Sequence, residues 1–311
     1  MSDFDPDQRA EALWSSEAAS ALGLPGARFS PAQVWASKRR LADLPGDSEN
    51  IAARLGLACQ DGVARLHIED TGHELLPLSH VTLRRDVDGV RMGSHYDYAN
   101  KTIKALHEVK FFGMARRKEF GEAGSDVVPY DVLVQALHEM IVWNADSTGY
   151  FEVDSCEVDV VFGNVERAVF VIPYDVGAVE KLIRMEASFQ ALVDANTPPA
   201  PTSPEDARTI WRKADGSERV ASGQTLQACT ALSSLKKQIK QMEAQAEEME
   251  LFVQRAMETA SVLKSPEVYV LATWKSTSTD RVDIKRLRDE MPKLAEQFLK
   301  TTESRRFLLK G

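Results

Sequence analysis

The sequence predicts a mixed α/β fold, a central mixed sheet flanked by helices, followed by a helical C-terminal module. A hairpin is predicted over 81–96, because Asp88-Gly89 favours the positive φ angles of a type I′ turn. A helix is predicted over 129–144, where apolar residues recur at helical spacing. Strands surrounded by helices in this order are typical of an α/β core.

The other elements of the first part follow from caps and breaks. Helices are predicted where a capping residue or a proline precedes an apolar pattern, and strands where apolar residues alternate or run together. The predicted helices cover 18–24, 51–69 and 129–144. Two more are predicted, one that begins at Ser30-Pro31 and one that Asp175 caps and that ends near Val193. Beyond the hairpin, the strands are one around Glu108, then 150–162 and 165–174.

A proline-rich stretch marks a domain boundary. Four of the nine residues from Asn196 to Pro204 are proline, which is typical of a stiff linker. We therefore expect a first domain over 1–197, a linker over 198–225, a coiled coil over 226–264 and a small basic subdomain over 265–311.

The coiled coil is predicted from a heptad seam. Apolar or small residues alternate steps of four and three, as in a coiled coil or a long helical hairpin. The seam is Ala228, Leu232, Leu235, Ile239, Met242, Ala246, Met249, Val253, Ala256, Ala260 and Leu263. The last segment is predicted to hold a strand over 268–274 and a basic helix over 283–299.

Composition excludes several classes of protein. The chain has 311 residues, 43% hydrophobic content and no apolar run of the roughly 18 residues that a membrane span needs. Its start lacks the features of a signal peptide, so a cytoplasmic protein that does not bind membranes is expected. Cys59, Cys156 and Cys229 are far apart, which argues against a disulfide framework, a zinc finger or an iron–sulfur site.

Charge is unevenly distributed along the chain. The formal net charge is −9, whereas Lys275 to Gly311 holds ten Lys/Arg and six Asp/Glu, a net +4. Phosphate binding depends on basic residues, so an acidic chain is not typical of a nucleic-acid-binding protein. Acidic residues elsewhere do not exclude DNA, since metal sites need carboxylates and a channel can be locally basic.

The residues that carry chemistry are Asp97 and the strand segment Glu108-Val109-Lys110. Side chains alternate along a strand, so Glu108 and Lys110 share one face while Val109 points into a core. Two carboxylates suit Mg²⁺, and a lysine beside them can orient or deprotonate a water molecule. This pattern fits metal-dependent phosphodiester cleavage, and its alternative is a solvated strand edge.

Several blocks resemble the YqaJ-type phage recombination exonucleases, which are related to lambda exonuclease within the PD-(D/E)xK nuclease superfamily. The N-terminal blocks Ser16-Glu17-Ala18-Ala19 and Ser30-Pro31-Ala32-Gln33-Val34-Trp35 are similar to the opening of that family. Ala272-Thr273-Trp274-Lys275-Ser276 and Lys300-Thr301-Thr302-Glu303-Ser304-Arg305-Arg306-Phe307 resemble blocks that close its long members. The resemblance implies a PD-(D/E)xK core.

The resemblance also implies roles for particular residues. Asp97 and Glu108 correspond to the metal-binding acids, with the Val109 carbonyl as a further ligand, and Lys110 to the catalytic lysine. Gln135 corresponds to a helix glutamine that helps to hold the substrate strand. A further pair, Arg9 and Ser16, matches the spacing of residues that contact a 5′-phosphate.

The sequence departs from the family at one position that bears on metal binding. Gln60 stands where relatives usually carry a metal-binding glutamate, and an amide is a poorer Mg²⁺ ligand than a carboxylate. Either Asp61 substitutes for it, or the position acts through water, or activity is reduced. His95 and His107 flank the acids without being needed, and His138 is more typical of a packed histidine.

The function implied is a Mg²⁺-dependent, or Mn²⁺-dependent, 5′-to-3′ exonuclease on double-stranded DNA ends. Its product would be a 3′ single strand for a phage annealing protein of the RecT or Red-beta type, and relatives imply a homo-oligomer, a trimer by analogy. The alternatives are an endonuclease of the same superfamily and a non-catalytic DNA-binding or scaffold protein with a decayed site. Trp274, Lys275, Arg281 and Arg305-Arg306 could contact DNA or form the basic rim of a small subdomain; for Lys236-Lys237 and Lys240, solubility is the alternative to DNA contact.

Overall fold

The computed structural model describes residues 6–44, 51–145, 151–163, 165–299 and 305–309. Three predicted features fall partly outside the described residues. They are the first five residues of the chain, residue 150 at the start of the strand 150–162, and residues 300–304 of the closing block.

The structure is mixed α/β, which confirms the predicted fold class. The helices, in chain order, are α1 (Pro6–Glu11), α2 (Ser15–Ala21), α3 (Pro31–Lys38), α4 (Ile51–Thr71), α5 (Tyr130–Asn144), α6 (Val176–Asp194), α7 (Pro204–Ile210), α8 (Gly223–Met257), α9 (Ile284–Glu290) and α10 (Pro292–Gln297). A 3-10 helix covers Met114–Glu119.

The strands of the described residues belong to three sheets. In chain order they are β1 (Leu13–Trp14), β2 (Leu75–Pro77), β3 (Thr82–Val87), β4 (Val90–His95), β5 (Tyr98–Asn100), β6 (Ala105–Phe112), β7 (Ser155–Phe162), β8 (Glu166–Pro173), β9 (Val262–Lys264) and β10 (Val270–Thr273). The sheets have the orders β1-β4-β3, β2-β5-β6-β7-β8 and β10-β9.

The five-stranded sheet is the centre of the first unit of the chain, which extends to Trp211. Its strand β6 pairs antiparallel with β5 and parallel with β7, so the sheet is mixed. The β3–β4 hairpin closes through Asp88 and Gly89, whose φ angles of 51° and 81° are those of the predicted type I′ turn. The hairpin and its turn, which were predicted from the sequence, are therefore confirmed.

The two faces of this sheet are covered by different helices. The larger apolar cluster joins β6 and β7 to α5 through residues such as Leu106, Val158 and Met140. A smaller cluster on the other face joins Val63 of α4 to Val109 of β6. Because side chains alternate along β6, its residues divide between these two environments.

The predicted caps of α3 and α6 are present. The Ser30 hydroxyl accepts a hydrogen bond from the Gln33 N–H, and Asp175 accepts one from the Ala178 N–H. The helix expected over 18–24 instead begins at Ser15 and ends at Ala21. It begins earlier because Glu17 accepts from the Trp14 N–H and so completes the first turn.

Part of the expected linker 198–225 is a helix, α7, and this part of the prediction was wrong. Asp206 of α7 is buried and accepts hydrogen bonds from the Ser30 hydroxyl at 2.6 Å and from the Thr202 N–H at 2.8 Å. The bond from Ser30 joins α7 to the N-terminus of α3. The division into two units falls between Trp211 and Arg212, inside the segment that the sequence marks as a linker.

The second unit covers 212–311 and contains the long helix α8. The heptad prediction was too long, since α8 ends at Met257 and Glu258 takes a φ of 47°. Val262–Lys264 pairs as a strand with Val270–Thr273, which removes the last two seam positions from the helix.

The basic helix predicted over 283–299 is divided into two. Asp283 caps α9 by accepting from the Arg286 N–H, and α10 begins at Pro292. Proline lacks an N–H and disfavours a helical conformation in the preceding residue, here Met291, so the helix cannot continue through it.

Candidate active site

Asp97 lies between β4 and β5, where the chain passes from one sheet to another. The pairing of β5 with β6 ends at Tyr98 and His107. Beyond this point the Val109 N–H donates to Asp97 Oδ2 at 3.0 Å. The other carboxylate oxygen accepts from Gln60 Nε2 of α4, also at 3.0 Å. The carboxyl group is thus held by one strand and one helix.

Glu108 and Lys110 project from the same face of β6, as strand alternation predicts. Lys110 Nζ lies 2.7 Å from Glu108 Oε1 and 2.9 Å from Gln135 Oε1 of α5. Val109, between them, is buried in the smaller apolar cluster on the opposite face. The structure therefore brings together the three residues that the sequence placed at the centre of the site, and Gln135 with them.

Gln135 organises this group through both ends of its amide. Besides accepting from Lys110, it donates from Nε2 to Glu108 Oε1 at 3.0 Å and to Glu139 Oε1 at 2.8 Å. Gln135 is half-buried, whereas Glu139 is fully buried. The glutamine thereby fixes the positions of the lysine and of two carboxyl groups.

The site carries more acid than base, and its pKa values reflect this. Burial raises the pKa of Asp97 to about 8, and the neighbouring Glu108 charge adds to the shift. Burial and then Glu108 also raise the pKa of Glu139 well above its usual range. Burial alone would lower the pKa of Lys110, but the surrounding carboxylates outweigh it and raise that pKa.

These donors fit a hard divalent cation. The Asp97 and Glu108 carboxylates are close enough for one to oppose ionisation of the other in a poorly solvated place. A cation relieves that repulsion, and oxygen donors are those that Mg²⁺ and Mn²⁺ prefer. Asp97 and Glu108 are thus placed to share an ion.

The neighbouring positions Gln60 and Asp61 have different surroundings. Gln60 contacts Asp97 directly, whereas Asp61 is exposed and accepts a hydrogen bond from the Tyr98 hydroxyl at 2.5 Å. The structure thus brings the amide, rather than the adjacent acid, into hydrogen-bond contact with Asp97.

Arg9 and Ser16 lie near the start of α2. Arg9 Nε pairs with Glu17 Oε1 at 2.6 Å, and the fully buried Glu17 also binds Lys38. Ser16 is exposed, and the preceding Ser15 accepts from the Ser94 hydroxyl of β4 at 3.2 Å. This contact places the first turn of α2 beside the strand that leads to Asp97.

The histidines near the site have other partners. His138 is buried between Glu186, at 2.9 Å, and the Gly93 carbonyl, at 3.1 Å, which is the packed environment expected for it. His95 stacks on Trp14 with ring centroids 5.0 Å apart. His107 points to the opposite face of the sheet from Glu108.

The basic residues of the second unit are mostly exposed. Lys236 lies 5.8 Å from the Phe307 ring, and Lys237 and Lys240 are exposed on α8. Trp274 is half exposed, as befits a stacking surface or the rim of a small subdomain. Lys275, Arg281, Arg305 and Arg306 are also exposed.

Sequence reasoning missed Glu139. Its signal was the spacing Gln135-x-x-x-Glu139, which puts both side chains on one face of α5, next to each other. The burial of its carboxyl group beside Gln135, Glu108 and Lys110 is a tertiary feature that the spacing alone does not give.

Three of the solved structures to which this one is similar are described as exonucleases. The LHK-Exo alkaline exonuclease from Laribacter hongkongensis is 13% identical, with a TM-score of 0.42, over 61% of this chain and 92% of its own. A protein described as an exonuclease from Eubacterium rectale is 10% identical, with a TM-score of 0.45, over 70% and 94%. A phage-related exonuclease from Haemophilus somnus is 12% identical, with a TM-score of 0.42, over 60% and 94%.

These similarities are too remote to carry an activity over to this chain. The sequence matches no protein-family model. No curated protein matches it significantly. Within the described parts of the chain, none of the helices combines the length and apolar character needed to cross a bilayer.

Proposed function

We propose that this protein is a divalent-metal-dependent nuclease that degrades linear double-stranded DNA from its 5′ ends. The observation that carries the proposal is the cluster of Asp97, Glu108 and Lys110. Gln135 holds Glu108 and Lys110, and Gln60 and the Val109 N–H hold Asp97. The cluster combines two oxygen donors for a hard cation with a lysine at hydrogen-bond distance from one of them.

Each residue of this cluster would have a distinct role in cleavage. Asp97, Glu108 and the Val109 carbonyl would hold Mg²⁺, which supplies Lewis-acid polarisation of the phosphate and a more acidic water. Lys110 is kept charged by the acids around it, so its ammonium group can orient the attacking water and offset negative charge on the phosphate. Gln135 fixes Lys110, and Glu139 fixes Gln135.

The finer parts of the proposal rest on the sequence resemblance. They are the 5′-to-3′ polarity, the contact of Arg9 and Ser16 with a terminal 5′-phosphate, and a 3′ single-stranded product for a RecT or Red-beta type annealing protein. A homo-oligomer around the DNA and a cytoplasmic location in a bacterial or phage-infected cell belong to the same inference. The seam on α8 is the surface that we assign to oligomer formation or partner recruitment.

The test is digestion of linear duplexes labelled at one 5′ or one 3′ end, beside covalently closed circles, with Mg²⁺ or with EDTA. We expect metal-dependent loss of the 5′ label as mononucleotide, survival of the 3′-labelled strand until late, and intact circles. Cleavage of circles would indicate an endonuclease with the same site.

A second candidate is a DNA-binding protein with a decayed site, and Gln60 favours it. The amide at this position adds no negative charge beside Asp97, so a bound ion would have one carboxylate ligand fewer than with a glutamate at position 60. Tight binding of duplex ends at saturating Mg²⁺ and Mn²⁺, with no cleavage of any substrate, would establish that candidate and exclude the enzyme.

A further inference from the structure

A second cluster of ionisable side chains lies on the opposite face of the central sheet from Glu108. His107 of β6 stands next to Glu157 of β7 in the parallel register, and Asp159 is two residues further along β7. His67 of α4 packs over them, with its ring centroid 4.4 Å from that of His107. All four residues are buried, with at most 5% of their surface exposed.

Three atoms of the cluster converge on one point. Asp159 Oδ2 lies 3.8 Å from His67 Nδ1 and 3.7 Å from His107 Nε2. The three ligand atoms lie within 4.8 Å of one another. Donors of a tetrahedral zinc ion, each about 2.0–2.2 Å from the metal, stand roughly 3.3 Å apart, so small side-chain movements bring these atoms into range.

The imidazoles are short of hydrogen-bond partners. His67 Nδ1, His67 Nε2 and His107 Nε2 are buried polar atoms without a hydrogen bond among the described residues. Buried polar atoms are almost always paired, and an orphaned group calls for a ligand, an ion or a water. Two of these three atoms are the ones that point toward Asp159.

Neighbouring polar residues contact the two histidines and Asp159 and hold them in position. Glu157 Oε2 is 3.2 Å from His107 Nδ1 and 3.5 Å from His67 Nε2, so one carboxylate faces the far nitrogen of both rings. Asn100 Nδ2 donates to the same oxygen at 2.8 Å. Arg167 binds both oxygens of Asp159, at 2.8 and 2.6 Å. Carboxylates that orient metal-binding histidines are typical of zinc sites.

We propose that His67, His107 and Asp159 bind a zinc ion, with Glu157 orienting both imidazoles and a water in the fourth position. Neutral imidazole nitrogens and one carboxylate suit zinc better than Mg²⁺, which prefers oxygen donors alone. The overlapping set His67, His73 and Glu157 is less suitable, because His73 is only partly buried, whereas His67, His107 and Asp159 are all buried.

The ion would have a structural role. Gln60 and His67 are seven residues apart, which is about two turns of α4. Both side chains therefore lie on the same side of this helix, the side that faces the sheet. A metal that joins His67 to β6 and β7 therefore fixes the position of α4, and with it the contact between Gln60 and Asp97. The proposed zinc site does not depend on the proposed nuclease activity.

The experiment measures metal in the full-length protein, loaded with zinc and dialysed against a weak chelator. We expect one zinc per chain in the wild type and in Asp97→Ala, and less than a tenth of that in His67→Asn and Asp159→Asn. The exposed His80→Asn is the matched control and should retain zinc. Zinc lost in Asp97→Ala but kept in His67→Asn would overturn the proposal, since the metal would then belong to the nuclease site.

A second measurement keeps the test independent of how the variants fold. Co²⁺ added to the metal-free wild type should give the intense visible absorption of a tetrahedral site with nitrogen donors, and zinc should displace it. Glu157→Gln should weaken zinc binding by about 10- to 100-fold, as expected for a residue that positions a ligand. A wild-type protein that binds neither Co²⁺ with this spectrum nor zinc after dialysis would show that water or a proton satisfies the histidines.

Discussion

At the scale of single residues, Asp97 has the environment of a metal ligand rather than of a surface acid. It is enclosed by Gln60 and the Val109 N–H, and the charge of Glu108 opposes its ionisation. A cation would replace a proton at this position. Metal binding should therefore be linked to pH.

The pKa of Asp97 predicts how stability changes with pH in the absence of metal. The folded value of about 8 lies above the ordinary 3.8, so the stabilisation that protonation provides is complete below about pH 4 and lost as pH rises through 8. Thermal unfolding in EDTA should show the wild type losing stability relative to Asp97→Asn between pH 6 and 9. Mg²⁺ should stabilise the wild type more at pH 9 than at pH 6, because at pH 9 the Asp97 carboxyl group is mostly ionised and the cation displaces fewer protons from it. A difference between the two proteins that does not change with pH would contradict the assignment.

Gln60 offers a substitution that should strengthen metal binding. Gln60→Glu places a third carboxylate beside Asp97, so the metal-free protein should melt lower and the apparent Mg²⁺ affinity should increase, by about tenfold or more. Isothermal titration with Mg²⁺ or Mn²⁺ measures the change. Gln33→Glu, in α3, is a control that should leave the affinity unchanged, whereas equal affinity in Gln60→Glu and the wild type would place the ion elsewhere.

Residue patterns in the sequence were sufficient for part of this site. Glu108 and Lys110 could be paired because strand alternation is strict, and Asp97 because a turn and a strand end fix its place. Glu139 and the direct contact of Gln60 could not be foreseen, since they depend on how α5 and α4 pack against the sheet.

At the scale of elements, the position of β4 depends on a close approach of the chain. A Cβ atom at Gly93 would lie 2.9 Å from the ring of Trp14, which is buried and stacked on His95. The glycine thus lets β1 pair with β4, the strand that leads to Asp97.

Gly93→Ala should therefore destabilise the protein, by about 1–3 kcal/mol, because the buried indole has little room to move. Gly62→Ala is the matched control. No heavy atom lies within 4 Å of a Cβ at Gly62 in α4, and alanine there should stabilise by roughly 0.5–1 kcal/mol. Chemical denaturation measures both changes. Equal effects of the two substitutions would contradict the packing of β1 on β4.

The elements themselves were largely predictable where local chemistry decides. The caps Ser30 and Asp175 and the turn at Asp88 act through hydrogen bonds and φ angles within a few residues. The end of α8 was not, because the seam continues beyond Met257 while strand pairing with Val270–Thr273 overrides it. A heptad pattern contains no information about strand pairing with a distant segment of the chain.

At the scale of the whole molecule, the chain divides into two units after Trp211. The first contains the three apolar clusters and all the residues of the candidate active site. The second contains α8, whose apolar seam residues such as Leu235, Ile239 and Met242 are largely exposed. We expect the chemistry to reside in the first unit and assembly in the second.

Residues 1–211 should accordingly fold and cut DNA without the rest of the chain. Circular dichroism should show cooperative unfolding, and Mg²⁺-dependent cleavage of linear duplexes should persist. Sedimentation should show a smaller assembly than the full-length protein forms, if α8 carries the oligomer contact. A truncated protein that folds but has lost all cleavage would mean that the second unit contributes to the active site.

The most direct test of the proposed active site is the cleavage rate of Lys110→Ala on a linear duplex with Mg²⁺, compared with Lys101→Ala. Lys101 forms an exposed ion pair with Glu74, so its loss should matter little. We expect Lys110→Ala to lose at least about 100-fold in rate while keeping its fold, because the substitution removes the ammonium group that is held beside Glu108 and that we propose orients the water. Cleavage by Lys110→Ala at the wild-type rate would contradict the account and remove Asp97, Glu108 and Lys110 as the catalytic centre.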